Sequence, residues 1–309
     1  MNVLVIIATF NGGKYLKEQI DSILNQKSVE LDVRVFDDCS QDNTVQVLNE
    51  YKTNSNVLLH KRKKGSGSAA VNFLEALLEL NSSGELMKYD CISFSDQDDI
   101  WLESKLSRSV DFLKKGYDLY GSNLTIYKNG SPTNGIVVKS HKQKKYDFLF
   151  EGGSAGCTYV FTPILAESIC LNYSKIRFKT WKYFSHDWFI YFIARLNSFK
   201  VYIDEESNIY YRIHGDNVHG EMNTNSFKSL LKRVNFVFND WYLESSKGYL
   251  QFCAKESVEF KILTKYLSGY FYRILVLISF NQNLMRSKLK FFKFFLINVF
   301  KLKSQKINY

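Results

Sequence analysis

Asp96, Asp98 and Asp99 put three carboxylates into four positions, directly after the largely apolar run Tyr89–Phe94. Carboxylates packed this tightly repel one another, and at neutral pH they need a cation to share. A buried strand that ends in an Asp-x-Asp unit and then turns sharply can hold one divalent ion against a diphosphate. A solvated acidic loop is the plainer alternative on these residues alone. Other groups able to do chemistry are spread along the chain: Asp37-Asp38, Asp187 within His186-Asp187-Trp188, and Arg212 with His214. Lys61–Lys64 is basic and could meet phosphate, although a solvated loop explains it as well. Gly152, Gly153 and Gly156 precede a strand instead of following one, so they form no dinucleotide fingerprint.

The elements that must position these groups follow from apolar periodicity. Val3–Ala8 is continuously apolar, as a strand buried on both faces should be. Leu16, Ile20, Ile23 and Leu24 recur at helical spacing, Leu31–Phe36 is a second strand ending at Asp37-Asp38, and a short helix is expected around Thr44–Tyr51. Strand Asn56–His60, loop Lys61–Gly67 and a helix carrying Phe73, Leu74, Leu77 and Leu78 lead to the acidic strand end. This β-α-β-α order implies an α/β fold with a mostly parallel, doubly wound sheet. Such sheets bind ligands at the carboxyl ends of their strands. Asn11, Asp38 and Asp96 all fall there and should share one crevice. Farther on, a strand is expected from Leu119 to Tyr127, then a polar loop from Lys128 to Lys145 and a Gly-rich turn with strand, Gly152–Phe161. A helix should open at His186, and a last strand, Val201–Asp204, should lead into Tyr210–His214.

Composition divides the chain. Of 309 residues, 45% are hydrophobic and 23% charged, which is ordinary for a globular protein; aromatics at 16% and only 2 prolines are not. The formal charge of +10 belongs to the C-terminal part, where residues 225–309 hold 15 Lys/Arg against 4 Asp/Glu. Two regions are therefore expected, 1–221 catalytic and 222–309 basic, aromatic and mainly helical. The 5 cysteines are odd in number and widely spaced, which fits a reducing compartment and argues against a disulfide framework or zinc site. The apolar opening has no basic leader and is too short for a signal peptide, so a cytoplasmic location is expected.

Four motifs stand in order: Val5–Asn11, Phe36–Thr44, Asp96-Gln97-Asp98-Asp99 and His186-Asp187-Trp188. With them the chain resembles the inverting glycosyltransferases of family 2, which have the GT-A fold, a Rossmann-like mostly parallel sheet. Ser95–Leu106, Gly153–Thr158 and residues 211–217 look most like the bacterial rhamnosyltransferase-like branch, and the resemblance covers roughly residues 1–220. It implies that Asp38, supported by Asp37, accepts a hydrogen bond from N3–H of a uracil or thymine ring, with Ala8, Phe10 and Asn11 lining the other side. A simple Asx or N-cap turn is the alternative for Asp38. The resemblance further implies that Asp96 and Gln97 lie near the ribose and sugar and that Asp98 ligates Mg²⁺ or Mn²⁺. His214 could complete the metal shell, and Arg212 could pair with the diphosphate. Asp187 becomes the general base at a helix start, a position that a plain capping role would also explain. The family usually has an acidic residue where this chain has His186. Asn72, Gly153 and Trp188 are expected around the sugar, Trp188 offering a stacking face and Gly153 close backbone approach. Trp101 is expected to pack beneath the acidic turn.

A dTDP- or UDP-sugar donor and a glycan or lipid-linked glycan acceptor are the implied partners. In Leu284–Lys303, Phe291, Phe292, Phe295, Leu296 and Val299 fall on one helical face, and Arg286, Lys290 and Lys293 on another. Such a helix can lie in a membrane interface, or dock on the catalytic domain. Tyr266–Phe280 is too short to span a membrane and carries Arg273. No motif supports nucleic acid, and the sequence leaves homodimerisation open. Two rival functions remain: a nucleotidyltransferase, for which Thr9–Lys14 supplies little of the required triphosphate loop, and a sugar-nucleotide-binding protein that has lost catalysis.

Overall fold

The computed structural model describes residues 1–176, 181, 183–214 and 241–300. Its contacts divide the chain into two units, one holding Met1–Ser140, Gly153–Ile176 and Ser185–His214, the other His141–Gly152 and the helices described from residue 241 onward. The boundary expected at 221/222, Gly215 to Asn217 of the last motif, and Lys301 to Lys303 of the tail lie outside the described residues.

The first unit is built on one sheet. In chain order it runs β1 (Asn2–Thr9), α1 (Leu16–Leu24), β2 (Glu30–Asp37), α2 (Thr44–Asn49), β3 (Val57–Lys61), α3 (Ala69–Ser82), β4 (Cys91–Ser95), β5 (Ile100–Trp101) and α4 (Lys105–Lys114). There follow β6 (Leu119–Lys128), β7 (Ser131–Val137), β8 (Val160–Phe161), α5 (Pro163–Tyr173), α6 (His186–Leu196) and β9 (Val201–Arg212). Strand order is β3-β2-β1-β4-β8-β6-β9-β5, with β7 beside β6. The first four strands are parallel, joined by the helical crossovers that parallel pairing requires. The short β8 pairs antiparallel to both β4 and β6.

Val3 to Ile7 are fully buried because both faces of β1 are covered. Val3, Val5 and Ile7 pack in one core with Leu16, Ile20 and Ile23 of α1 and with Leu106, Val110 and Leu113 of α4. On the other face Phe73 of α3 stacks on Phe94 of β4 at 4.7 Å, and Phe94 meets Phe161 edge-on. Register then fixes the crevice. Thr9 lies opposite Asp37 and Ile7 opposite Ser95, so the ends of β1, β2 and β4 reach the same rim.

Two expectations about strands need revision. Lys128–Lys145 is not all loop: β6 turns back into β7 through Asn129 and Gly130, at φ 54° and 79°. Asn-Gly with both residues left-handed is the turn whose twist suits a two-residue hairpin. The last strand runs on to Arg212 instead of stopping near Asp204, because its pairing with β6 slips at Asn123 and then resumes. The Asn123 amide fills the slip, donating to the Glu205 carbonyl at 2.7 Å and accepting from the Lys139 and Ser140 amides. Continued pairing of Ile100 with Tyr210 and Trp101 with Ile209 sets the end of β9 against the acidic turn.

The second unit contains α7 (Trp241–Leu250), α8 (Val258–Leu267), α9 (Tyr270–Ser279) and α10 (Lys288–Phe300). Phe294 of α10 is buried among Phe150, Tyr242 and Tyr266, and Asn298 accepts from the Tyr266 hydroxyl at 2.7 Å. Arg286, expected on a basic outer face, is instead buried, with its guanidinium 3.3 Å from Glu151 and 3.8 Å from Asp147. The network of opposite charges is what allows an arginine there. Among the described residues no helix is long and apolar enough to cross a membrane.

Candidate active site

The rim begins with two interlocked loops. Asn11 (φ 49°) and Cys39 (φ 66°) turn the chain sharply just beyond β1 and β2. The Asn11 amide N–H donates to Ser40 Oγ at 2.8 Å, its Oδ1 accepts the Gln41 N–H at 2.9 Å, and the Gly12 N–H donates to Thr44 Oγ1. A Cβ on Gly13 would lie 1.9 Å from Asn43 Oδ1, so the second loop leaves no room for a side chain there. Asp37 is fully buried and accepts the Ser40 N–H. The Asp38 carboxylate accepts the Ser66 N–H at 2.6 Å and the Ser66 hydroxyl at 2.9 Å. Ser66 was missed because its basic loop reads as solvated surface.

Gln97 staples the acidic turn to the end of β1. Its Oε1 accepts the Phe10 N–H at 2.9 Å and the Thr9 hydroxyl at 2.7 Å, while its Nε2 donates to the Phe10 carbonyl at 3.2 Å. The Phe10 ring is thereby held on the rim, 54% exposed, whereas Ala8 is buried within the strand.

Asp96, Asp98 and Asp187 form one electrostatic group. The Asp96 carboxyl is pushed up to about 7 by burial, then by the negative charges of Asp98 and Asp187. Asp98 Oδ2 lies 2.8 Å from His214 Nε2, and the His214 ring packs on Tyr15 at 4.9 Å. Asp187, in the first turn of α6, accepts the Trp188 N–H at 2.7 Å and the Ser185 hydroxyl through the same oxygen, Oδ1. Among the described residues nothing hydrogen-bonds its Oδ2, and the residue is half-exposed.

A divalent cation fits the Asp98–His214 pair. Carboxylate oxygen and imidazole nitrogen lie 2.8 Å apart, beside the Asp96 carboxyl, which burial and neighbouring negative charge push up to about 7. Asp96, Asp99 and Cys157 also bring ligand atoms within 4.8 Å of one another. That inner cluster suits Mg²⁺ or Mn²⁺ poorly, because Asp99 and Cys157 are fully buried and the ligand is a sulfur. Burial pushes both groups well above their usual range, and Asp99 accepts the Arg212 N–H at 3.2 Å.

Several expected roles change with the contacts. The Arg212 guanidinium, expected to pair with the diphosphate, lies between the Tyr15 and Tyr127 rings, at 4.6 and 4.7 Å, and donates to the Asp98 carbonyl and to Glu18. Asn72 is 1% exposed, its amide consumed by the Phe36 carbonyl and Arg62, so it cannot reach a sugar. Trp188 is 3% exposed and has no open face for stacking. Gly153 is buried under aromatic rings, where a Cβ would come within 2.6 Å of Tyr191. His186, at the position where an acid was expected, packs on Phe73 and Phe94 and against Gly156, where a Cβ would lie 2.1 Å from Nε2.

Beneath the turn, Lys105 is 1% exposed, donates to Ser93 Oγ at 3.0 Å and lies 3.5 Å from the Trp101 ring centroid. Burial pushes its ammonium down to about 7 against the opposing pull of Cys157, Cys91 and Asp99. The unfolded chain then binds more protons than the folded one between about pH 7 and 10.5, and stability from this group rises with pH across that window. Lys105→Met should flatten this contribution. The stability advantage of the variant, read from denaturant unfolding, is expected to be largest near about pH 6 and to shrink toward about pH 10, by a few kcal/mol in all; a pH-independent difference between the two proteins would contradict the assignment.

Residues 4–170 match the family model described as "Glycosyl transferase family 2". The chain is 32% identical over 293 residues to dTDP-rhamnosyl transferase RfbG of Shigella flexneri, covering 89% of this chain and 92% of that one. It is 23% identical over 237 residues to UDP-Glc:alpha-D-GlcNAc-diphosphoundecaprenol beta-1,3-glucosyltransferase WfaP of Escherichia coli, covering 76% and 85%. Among solved structures, S. aureus TarS 1–349 in complex with UDP-GlcNAc superposes with a TM-score of 0.57 at 17% identity, over 97% of this chain and 90% of that one. Mannosyltransferase PcManGT from Pyrobaculum calidifontis in complex with GDP-Man and Mn²⁺ gives 0.51 at 14% identity, over 96% and 83%.

Proposed function

This chain belongs to glycosyl transferase family 2, and from that membership we propose an inverting transfer, assisted by one divalent metal, of a hexose or deoxyhexose from a dTDP- or UDP-sugar to a hydroxyl of a bacterial surface-polysaccharide precursor. Rhamnose is the favoured sugar, on the likeness over most of the chain to a dTDP-rhamnosyl transferase. A lipid-linked acceptor is favoured by the likeness to an enzyme named for a diphosphoundecaprenol substrate. With such an acceptor the protein would work in the cytoplasm, in peripheral contact with the inner face of the cell membrane through its C-terminal region. The nucleotidyltransferase alternative falls with family membership.

One observation carries the site: Asp96 feels the charges of both Asp98 and Asp187. The proposed metal-binding end and the proposed base therefore both lie near one carboxyl, which supports the reading that they serve a single crevice. Asp38, oriented by Ser66, would accept N3–H of the base, with Phe10 on the rim beside it. Asp98 and His214 would hold Mg²⁺ or Mn²⁺, which supplies positive charge against the departing diphosphate. Asp187 Oδ2 would take the acceptor hydroxyl proton as that oxygen attacks the anomeric carbon from the face opposite the leaving group. The anomeric C–O bond breaks with its electron pair on the diphosphate, and the proton passes from Asp187 to solvent. The Trp188 amide and Ser185 hydroxyl fix the other carboxylate oxygen, which holds the base in one orientation.

Arg212 acts in this scheme as a brace for the metal end. Arg212→Lys keeps the charge but loses the fork that reaches Glu18 and the Asp98 carbonyl together. The expected result is an increase of about tenfold or more in the Mn²⁺ concentration needed for half-maximal binding, measured by the Mn²⁺ resonance signal without turnover. An unchanged titration would return Arg212 to a role elsewhere.

Purified protein incubated with a panel of nucleotide sugars and Mg²⁺ or Mn²⁺ tests the function directly. Slow hydrolysis is expected to be fastest for dTDP-L-rhamnose. Faster hydrolysis of a UDP-hexose would move the donor assignment, and no hydrolysis of any donor would favour the inactive binding protein.

A further inference from the structure

We propose that the start of α9 and the groove beside it form a docking face for a bilayer rich in anionic phospholipid. The proposal rests on the peripheral-membrane reading above and gives it a location and a lipid chemistry.

The groove, of about 370 Å³, runs along α8 to the first turn of α9. Lys255, Lys261 and Lys265 border it, and Phe260, Thr264, Ser268 and Tyr272 also line it. Three lysines meet there, and among the described residues no acidic side chain lines the groove. Glu256 and Glu259 lie nearby in sequence but outside it. Phe271 is 68% exposed and Tyr272 49%, both at the mouth of α9, and Ile278 is 58% exposed two turns along the same stripe. Apolar side chains of this size are rarely left in water in a cluster beside concentrated positive charge unless something covers both.

The occupant must answer both features at once. A phospholipid surface does: phosphate for the lysines, and the acyl boundary for Phe271 and Ile278. An acidic protein would satisfy the lysines but not the protruding apolar stripe. Among the described residues no helix can cross a membrane, so contact from the surface is the geometry available. A single weak anchor gives marginal binding, whereas a basic cluster together with an inserting apolar stripe combines two signals. Leu289 (63% exposed) and Phe292 (57%) on α10, with exposed Lys288, Lys290 and Lys293, repeat the same pairing of side chains elsewhere in the unit. That repetition places the tail's expected membrane character on more than one helix.

Flotation of the full chain with vesicles tests this. Native protein should bind vesicles containing phosphatidylglycerol, release them as salt is raised, and ignore vesicles of phosphatidylcholine alone. A lysine near an anionic surface contributes about 1 kcal/mol, so reversing two should weaken binding on the order of twentyfold or more; the double variant is Lys261→Glu with Lys265→Glu. Phe271→Ser should weaken it several-fold while leaving the salt dependence intact. All three side chains are exposed, so thermal melting and donor hydrolysis should match native. Equal binding by native and charge-reversed protein, equal binding to neutral vesicles, or no vesicle binding at all would overturn the proposal. Loss of donor hydrolysis in native protein that still floats with anionic vesicles would count against the transferase assignment and support the docking face.

Discussion

Asp187→Asn is expected to lower transfer by about 10²–10⁴-fold while leaving donor and metal binding within about twofold of native. The substitution is informative because it is nearly silent structurally. The amide oxygen of Asn can still accept from the Trp188 N–H and the Ser185 hydroxyl, so the first turn of α6 keeps its hydrogen bonds. What disappears is an acceptor basic enough to take a proton from a hydroxyl. Turnover with saturating donor reads that loss, and calorimetry with dTDP, UDP and Mn²⁺ reads what remains. Full transfer by the variant would remove Asp187 from the role of base. Weakened donor binding with normal turnover would make it a binding residue instead.

Asp98→Ala should have the next largest effect, and on a different quantity. Asp98 is the carboxylate that meets His214 at 2.8 Å, and its side chain is only 15% exposed. Removing it takes one charged ligand from the proposed pair and leaves neutral imidazole alone, which holds Mg²⁺ or Mn²⁺ weakly. Metal affinity is expected to fall by about 100-fold or more, and metal-dependent donor binding to fall with it. Calorimetry of donor binding with and without Mn²⁺ separates the two effects. Native and variant should differ when Mn²⁺ is present and converge when it is withheld. Metal-independent loss of donor binding would mean that Asp98 contacts the nucleotide itself, or that the turn has collapsed.

The strand ends were legible in the sequence because buried parallel strands are continuous apolar runs, and the polar residue that follows each run marks the rim. Val3–Ala8, Leu31–Phe36 and the acidic strand end were placed that way, and the sheet brings Thr9, Asp37 and Ser95 into neighbouring register. The Asn129-Gly130 hairpin carried a turn signal, but its second strand is exposed and polar, so period-two patterning was absent. The end of β9 was hidden by the polar run Glu205-Glu206-Ser207, which sits at the register slip.

Side-chain roles were harder to read than positions. Trp188 and Asn72 have the chemistry of sugar contacts, yet each points into a packed interior, and a helix start or an apolar helix does not reveal which way one residue faces. Arg212 illustrates the same limit: proximity to the acidic turn was implied, whereas its enclosure by Tyr15, Tyr127 and Glu18 depends on residues far along the chain, Glu18 being 194 positions away. Lys105 had no signal, since a lysine opening a helix ordinarily faces water. Its burial follows from the Trp101 ring above it and Ser93 beside it, two contacts set by tertiary structure.

The central claim is that Asp38, Asp98 and Asp187 surround a single nucleotide diphosphate. Crystals of the protein grown with dTDP and Mn²⁺, measured for manganese anomalous scattering, test it most directly. The expected map has one strong peak held by Asp98 and His214 beside the diphosphate, the thymine N3–H on Asp38, and Asp187 across a gap that one sugar ring fills. A manganese peak on Asp99 and Cys157, or a nucleotide whose diphosphate lies away from Asp187, would contradict the account.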